Sequence, residues 1–261
     1  MRARRRFVVG AVLAVLFGLG PGEGGAESLA VTVVRVKPAI VGVATFLATR
    51  RPPAALLGTG FAVGDGRHVL TNLHVVADAG GDGDRQRLVV LVGIGRDAEM
   101  REAIVVAGDA AHDVAVLAIE GPPLPTLDLG DDSLLAEGDE IAFTGFPIGA
   151  VLGLFPATHR GIVAAWTPIA IPAVDPSQLD VAMIKRLREE DFYVFQLDAT
   201  AFPGNSGSPL YRAATGEVVG IISSVFVKSS KENVLSEPSG ITYAVPIRYA
   251  KELLREAGLP F

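Results

Sequence analysis

Residues 204–210 read Gly204-Asn205-Ser206-Gly207-Ser208-Pro209-Leu210, and what accompanies them decides the fold. Glycines on both sides of a serine allow a tight turn that exposes the hydroxyl and aims backbone N–H groups at one point. Taken alone, the segment is a nucleophile's turn or simply a turn. A serine hydroxyl attacks a carbonyl only when a base takes its proton, so partners must be found. Val69-Leu70-Thr71-Asn72-Leu73-His74-Val75-Val76 ends a β-like run and presents one histidine among apolar residues. His112-Asp113-Val114-Ala115-Val116-Leu117 sets a carboxylate at the mouth of another run. Such a carboxylate fixes the imidazole tautomer and stabilises the imidazolium. His74, Asp113 and Ser206 are therefore the candidate catalytic residues, in the chain order His, Asp, Ser.

Outward from these segments, short runs rich in Val, Ile and Thr are bounded by Gly, Asp and Pro. Val31–Val36, Ile40–Phe46, Gly60–Val63, His68–Thr71, Arg87–Val92, Ala103–Val106 and Val114–Ile119 make a first set. Glu140–Thr144, Gly161–Trp166, Phe192–Leu197, Val218–Val225 and Ile241–Val245 make a second. Leu124–Asp139 lies between the sets and reads as their connection. Evenly spaced strands with few helices argue an all-β sandwich or barrel, and the pattern does not choose between them. Ser177–Glu190 places Leu179, Met183 and Leu187 at helical spacing, either as a helix packed on a barrel or as an element shaping access to the site. Pro246–Ala257 has Pro at its start and Gly258 and Pro260 after it, the pattern of a terminal docking helix.

The chain has 261 residues, 49% of them apolar, enough for one large all-β domain or two small barrels. It has no cysteine, which excludes disulfides, thiolate metal sites and a thiol nucleophile. His68, His74, His112 and His159 fall into no metal-ligand spacing, so no metal site is expected. Arg2, Arg4, Arg5 and Arg6 precede the apolar run Phe7–Leu19, and Gly24-Gly25-Ala26 offers small residues before Glu27. That is the layout of a cleaved signal peptide over residues 1–26, and Arg4-Arg5-Arg6-Phe7-Val8-Val9 resembles a twin-arginine signal. Its removal takes away four Arg and one Glu, deepening the formal net charge from −6 to −9. So acidic a domain is poorly suited to nucleic acid or to anionic membranes.

The order His, Asp, Ser is that of the chymotrypsin group rather than of subtilisins or α/β-hydrolases. Thr71-Asn72-Leu73-His74-Val75-Val76, His112-Asp113-Val114-Ala115-Val116-Leu117 and Gly204-Asn205-Ser206-Gly207 resemble the three catalytic motifs of HtrA/Deg-type trypsin-like peptidases. Gly58-Thr59-Gly60-Phe61 resembles that family's Gly-Ser-Gly-Phe strand entry. Leu129–Ser133, Glu137–Asp139, Gly145–Gly149, Arg160–Ala165 and Gly240–Pro246 follow in family order. The likeness runs over roughly residues 30–250. It implies two six-stranded antiparallel barrels with a C-terminal helix, the first over 27–135 and the second over 136–261. The site would lie in the cleft between them.

The resemblance further implies peptide-bond hydrolysis through an acyl-enzyme. The Gly204 and Ser206 N–H groups would form the oxyanion hole. Polypeptides would be the substrates, no cofactor would be needed, and a homo-oligomer would be one assembly state. Export would leave the protein periplasmic or extracellular. Thr200, Ile222, Ser223 and Ser224 would wall the pocket for the residue before the scissile bond (P1), and their uncharged side chains imply a small or medium apolar P1. Two departures stand out. Only about 15 residues follow Pro246, too few for the PDZ domain usual in the family. Ser208 stands where that family usually has glycine, and the string Gly-Asn-Ser-Gly-Ser-Pro resembles the V8-like glutamyl endopeptidases of the same fold. A rival reading is a catalytically silent, chaperone-like binding module on this fold. Of the remaining polar candidates, His112 faces away from Asp113 if the strand continues, and His68 and His159 read as surface or turn residues. Asp198 reads as carrying a structural hydrogen bond or touching substrate, and Trp166 as core.

Overall fold

The computed structural model describes residues 28–77, 79, 86–148, 153–168, 192–223 and 240–261. The leading segment 1–26, the helix expected over 177–190 and Ser224 lie outside the described residues. Strands β1 (Ile40–Phe46), β2 (Ala54–Val63), β3 (His68–Thr71), β4 (Arg87–Val92), β5 (Glu99–Asp109) and β6 (Val114–Ile119) close into one barrel in the order β1-β2-β3-β6-β5-β4. A second barrel, closed as β10-β11-β12-β9-β8-β7, is built from β7 (Glu140–Gly145), β8 (Ala157–Pro168), β9 (Tyr193–Asp198), β10 (Pro209–Arg212), β11 (Val218–Ser223) and β12 (Ile241–Pro246). The ladders of both barrels are antiparallel. Closure leaves no edge of these described strands open to pair with another chain.

Several strands bury both faces, which explains their near-continuous apolar runs. In β6, Ala115 and Leu117 fill the first barrel beside Val69 and Val90. Val114 and Val116, on the other face, join Phe61 and Leu70 against Tyr211, Ile221 and Val245 of the second barrel. In β11, Val219 and Ile222 fill the second barrel, while Val218 and Ile221 belong to the interface. The barrels thus share a third apolar core that fixes their relative placement.

Two elements differ from expectation. Residues 29–36, expected as a strand over Val31–Val36, form helix α1 (Leu29–Val36). Thr32 and Val36, one turn apart, are buried against the second barrel, where Arg35 donates to the Thr215 carbonyl at 2.6 Å. A β-branched run fits a strand by propensity, but packing one stripe decides for the helix. Strand β10 carries no separate sequence signal: four residues starting at a proline become a strand only by pairing with β7 and β11. The C-terminal helix, α3 (Ile247–Glu256), buries Ile247, Ala250, Leu253 and Leu254. It packs on β5 and β6 of one barrel and β11 and β12 of the other. Arg248 Nε pairs with the buried Asp132 carboxylate at 2.8 Å and Lys251 donates to the Gly130 carbonyl at 2.7 Å, tying the inter-barrel connection to α3.

Candidate active site

His74 lies in the four-residue helix α2 (Leu73–Val76), directly after β3. Asp113 is the residue before β6, with φ of +56°, left-handed backbone that a non-glycine residue seldom adopts. β3 and β6 are paired, Thr71 opposite Ala115, so their ends carry His74 and Asp113 to the same rim. The Asp113 carbonyl accepts from Leu73 N–H at 3.2 Å and from Asn72 Nδ2 at 3.0 Å. Its Oδ1 accepts from the His74 backbone N–H at 2.9 Å. N–H groups of a helix's first turn have no partner within the helix, so Asp113 both supplies one and is held by it. Asp113 Oδ2 lies 2.7 Å from His74 Nδ1. This contact fixes the imidazole with Nδ1 toward the carboxylate and leaves Nε2 for another group.

Ser223 Oγ donates to the same Oδ2 at 3.0 Å. The carboxylate thus bridges the barrels, since Ser223 belongs to β11. This revises the expectation for two pocket residues. Ile222 is fully buried in the core of the second barrel, and Ser223, also fully buried, faces Asp113. Strand alternation is the reason: Ile221 and Ser223 share the face toward the first barrel, and Ile222 takes the other.

Ser206 is nearly buried, at 4% exposure, on the loop between β9 and β10. Gly204 and Gly207 have φ of +99° and +86°. A Cβ on Gly207 would stand 3.0 Å from the Thr59 carbonyl carbon, so only glycine fits both backbone and space there. The loop is gripped from the first barrel, where Thr59 N–H donates to the Ser206 carbonyl at 2.8 Å. From the second barrel, Ile148 N–H donates to the Pro203 carbonyl at 2.7 Å. Among the described residues nothing accepts the Gly204 N–H. A turn of this shape can hold an oxyanion on backbone N–H groups.

The segment preceding the loop is pinned by Thr242, whose Oγ1 donates to the Ala199 carbonyl at 2.7 Å and accepts from Ala201 N–H at 3.0 Å. Half-buried Thr200 sits between those two bonds. His159 is neither a surface nor a turn residue: it lies within β8, its ring stacked on Phe143 with centroids 4.8 Å apart and 6.1 Å from the Phe202 ring. Burial holds its imidazole below the ordinary histidine range, in the neutral form. His112 follows Asp109, not the site. Its Nδ1 lies 2.5 Å from Asp109 Oδ2, and its ring stacks on Tyr249 at 3.8 Å. Burial raises the Asp109 carboxyl, but the His112 hydrogen bond and charge outweigh it, for a net lowering. His68 Nδ1 pairs with Asp65. Trp166 packs edge-on to Phe195, and Asp198 is exposed at the end of β9.

A serine turn from one barrel, gripped by the other barrel, whose rim carries a carboxylate-held histidine, is the arrangement of the double-barrel serine peptidases. The comparisons narrow this: the trypsin-like peptidase domain matches residues 58–221, and the chain belongs to that family. It is 33% identical over 199 residues to a probable periplasmic serine endoprotease DegP-like of Halomonas elongata, a match covering 76% of this chain and 34% of that protein. A counterpart of the same description in Pseudomonas putida is 34% identical over 203 residues, with 77% and 34% covered. The chain therefore spans about a third of the length of the curated relatives it matches. Among solved structures, the HtrA-type protease AlgW with a decapeptide superposes with a TM-score of 0.63 at 27% identity, covering 88% of this chain and 67% of that one. AlgW with a tripeptide gives 0.62 at 28%, covering 88% and 63%.

Proposed function

We propose that this chain is an exported serine endopeptidase whose nucleophile is Ser206. The observation that carries the reading is the 2.7 Å contact of His74 Nδ1 with Asp113 Oδ2, which holds the imidazole by one nitrogen and leaves Nε2 for the Ser206 hydroxyl. His74 takes the Ser206 proton as Oγ attacks a peptide carbonyl, and Asp113 stabilises the imidazolium. The N–H groups of Gly204 and Ser206 hold the developing oxyanion. His74 then protonates the leaving amine, and a water activated by the same imidazole hydrolyses the acyl-enzyme. The relatives described as periplasmic support export, with residues 1–26 as the signal, so a mature N-terminus near Glu27 is expected by mass spectrometry.

For the residue before the scissile bond, we propose small or medium apolar side chains. Thr200, Ala201 and Phe202 are uncharged, and His159 beside Phe202 is held neutral. A charged P1 would be buried there without a partner, whereas an aliphatic one gains about 1–3 kcal/mol from burial. One experiment tests both parts: digestion of denatured protein by the mature chain and by Ser206→Ala, with the cleavage sites sequenced. Ser206→Ala is expected to lose on the order of 10⁶-fold in kcat with its fold intact. Retention of a few per cent of activity sinks the nucleophile assignment. A profile dominated by Glu, Lys or Arg sinks the pocket assignment.

A further inference from the structure

We infer that Thr59 is a positioning residue for the oxyanion-binding turn, acting through its side-chain hydroxyl across the barrel interface. The inference rests on the peptidase reading above and names a group outside the triad and its hydrogen bonds.

Thr59 is fully buried in β2 of the first barrel. All of its polar atoms are engaged, and three of the four contacts concern the second barrel. Its N–H donates to the Ser206 carbonyl at 2.8 Å. Its Oγ1 donates to the Gly204 carbonyl at 2.7 Å and accepts from the Phe146 N–H at 3.0 Å. The Thr59 carbonyl accepts from Thr71 Oγ1 at 2.7 Å, anchoring the residue to β3, the strand that leads into His74.

The consequence for the turn is geometric. A hydroxyl has one proton, and Thr59 commits it to the Gly204 carbonyl, because that oxygen can only accept while the Phe146 N–H can only donate. With the Gly204 and Ser206 carbonyls both drawn onto Thr59, the intervening peptides cannot rotate freely about the left-handed Gly204. The opposite side is held by Asn205 N–H on the Phe202 carbonyl at 3.0 Å and Ile148 N–H on the Pro203 carbonyl at 2.7 Å. The N–H groups of Gly204 and Ser206, which alternate with these anchored carbonyls, keep one orientation in the absence of substrate. Glycine at 204 tolerates other backbone angles, so without the hydroxyl the turn has alternatives. Electrostatic stabilisation of an oxyanion works only when its donors are already aimed, and such aim is what Thr59 supplies.

Thr59→Val removes the hydroxyl at nearly constant volume, Thr59→Ser keeps it, and Thr59→Ala is read beside Val so that the answer does not depend on one variant's folding. All are tested as the full mature chain on an apolar peptide substrate and with a peptide aldehyde, which forms an oxyanion-like adduct on the serine. For Val and Ala, kcat is expected to fall about 10- to 100-fold, below or at the 10²–10³ that loss of a whole oxyanion donor costs. KM should stay within about two-fold and the aldehyde inhibition constant should rise in step with the kcat loss, because only the transition-state-like species needs the aimed donors. Ser should keep near-wild-type values. A merely structural role lowers the active fraction and leaves the inhibition constant where it was; that result overturns the inference. So does a kcat within about three-fold of wild type in Val or Ala, or a Ser variant as impaired as Val. A wild-type chain that neither cleaves peptide nor binds the aldehyde overturns the peptidase reading itself, and this inference with it.

Discussion

Adjacent residues in β11 are expected to respond oppositely to truncation. Among the described residues, Ser223→Ala removes one of three hydrogen bonds on the Asp113 carboxylate and leaves the two from His74. A hydrogen bond to a charged group contributes about 1.5–3 kcal/mol. At 1.36 kcal/mol per decade, full transmission to the transition state lowers kcat roughly 10- to 150-fold. The Asp113 side chain is 15% exposed, so water replaces part of the lost bond and the fall should sit near the lower limit, about 10-fold. KM should not move, since the Ser223 side chain is fully buried and faces the carboxylate. Ile222→Ala instead opens a cavity in the second barrel and costs about 2–5 kcal/mol. At about 2–4 °C per kcal/mol for a chain of this size, its melting temperature drops by roughly 4–20 °C, with kcat per folded molecule little changed. The assay is steady-state hydrolysis of an apolar peptide, with kcat and KM resolved, beside thermal melts of both variants. A Ser223→Ala enzyme with unchanged kcat and a KM raised about ten-fold would instead place the hydroxyl against substrate rather than against Asp113.

His159→Phe should flatten the acid limb of the stability profile. Burial depresses the folded-state value of this imidazole below its ordinary 6.5, so the unfolded chain takes up the proton first. Its contribution is therefore fully present above about pH 6.5 and is lost as pH falls toward the folded value; melts from pH 7.5 to 5 should run steeper for wild type than for the variant. Leu254→Ala, at a fully buried position of α3 in the core between the barrels, should lower the urea midpoint by the equivalent of about 2–5 kcal/mol. It should also weaken catalysis, because that core holds the two halves of the cleft together.

Much of the architecture was legible before any coordinates. Strands such as His68–Thr71, Arg87–Val92 and Val114–Ile119 coincide with β3, β4 and β6, because a β-branched run bounded by turn residues has few other options. The C-terminal helix was equally plain, since Pro at its start and Gly after its end bracket a stripe of buried residues. Where local preference and packing diverged, the sequence misled: Val31–Val36 has strand composition, yet α1 forms because Thr32 and Val36 dock on the second barrel.

Which side chains are available for chemistry is written in the chain itself. It carries a serine in a glycine turn, a histidine after one strand, a carboxylate before another, no thiol and no metal-ligand spacing. Only the tertiary structure decided how they are held. Asp113 is recognisable in the sequence as a carboxylate before a strand, but the left-handed backbone at Asp113 and the pairing of β3 with β6 are what turn it to His74. Likewise Thr59 lies 147 positions before Ser206, and Ser223 lies 110 after Asp113. Their hydrogen bonds to the Ser206 turn and to the Asp113 carboxylate exist only because two closed barrels share one apolar interface, and a contact made across separate barrels leaves no periodicity or spacing in the chain to read.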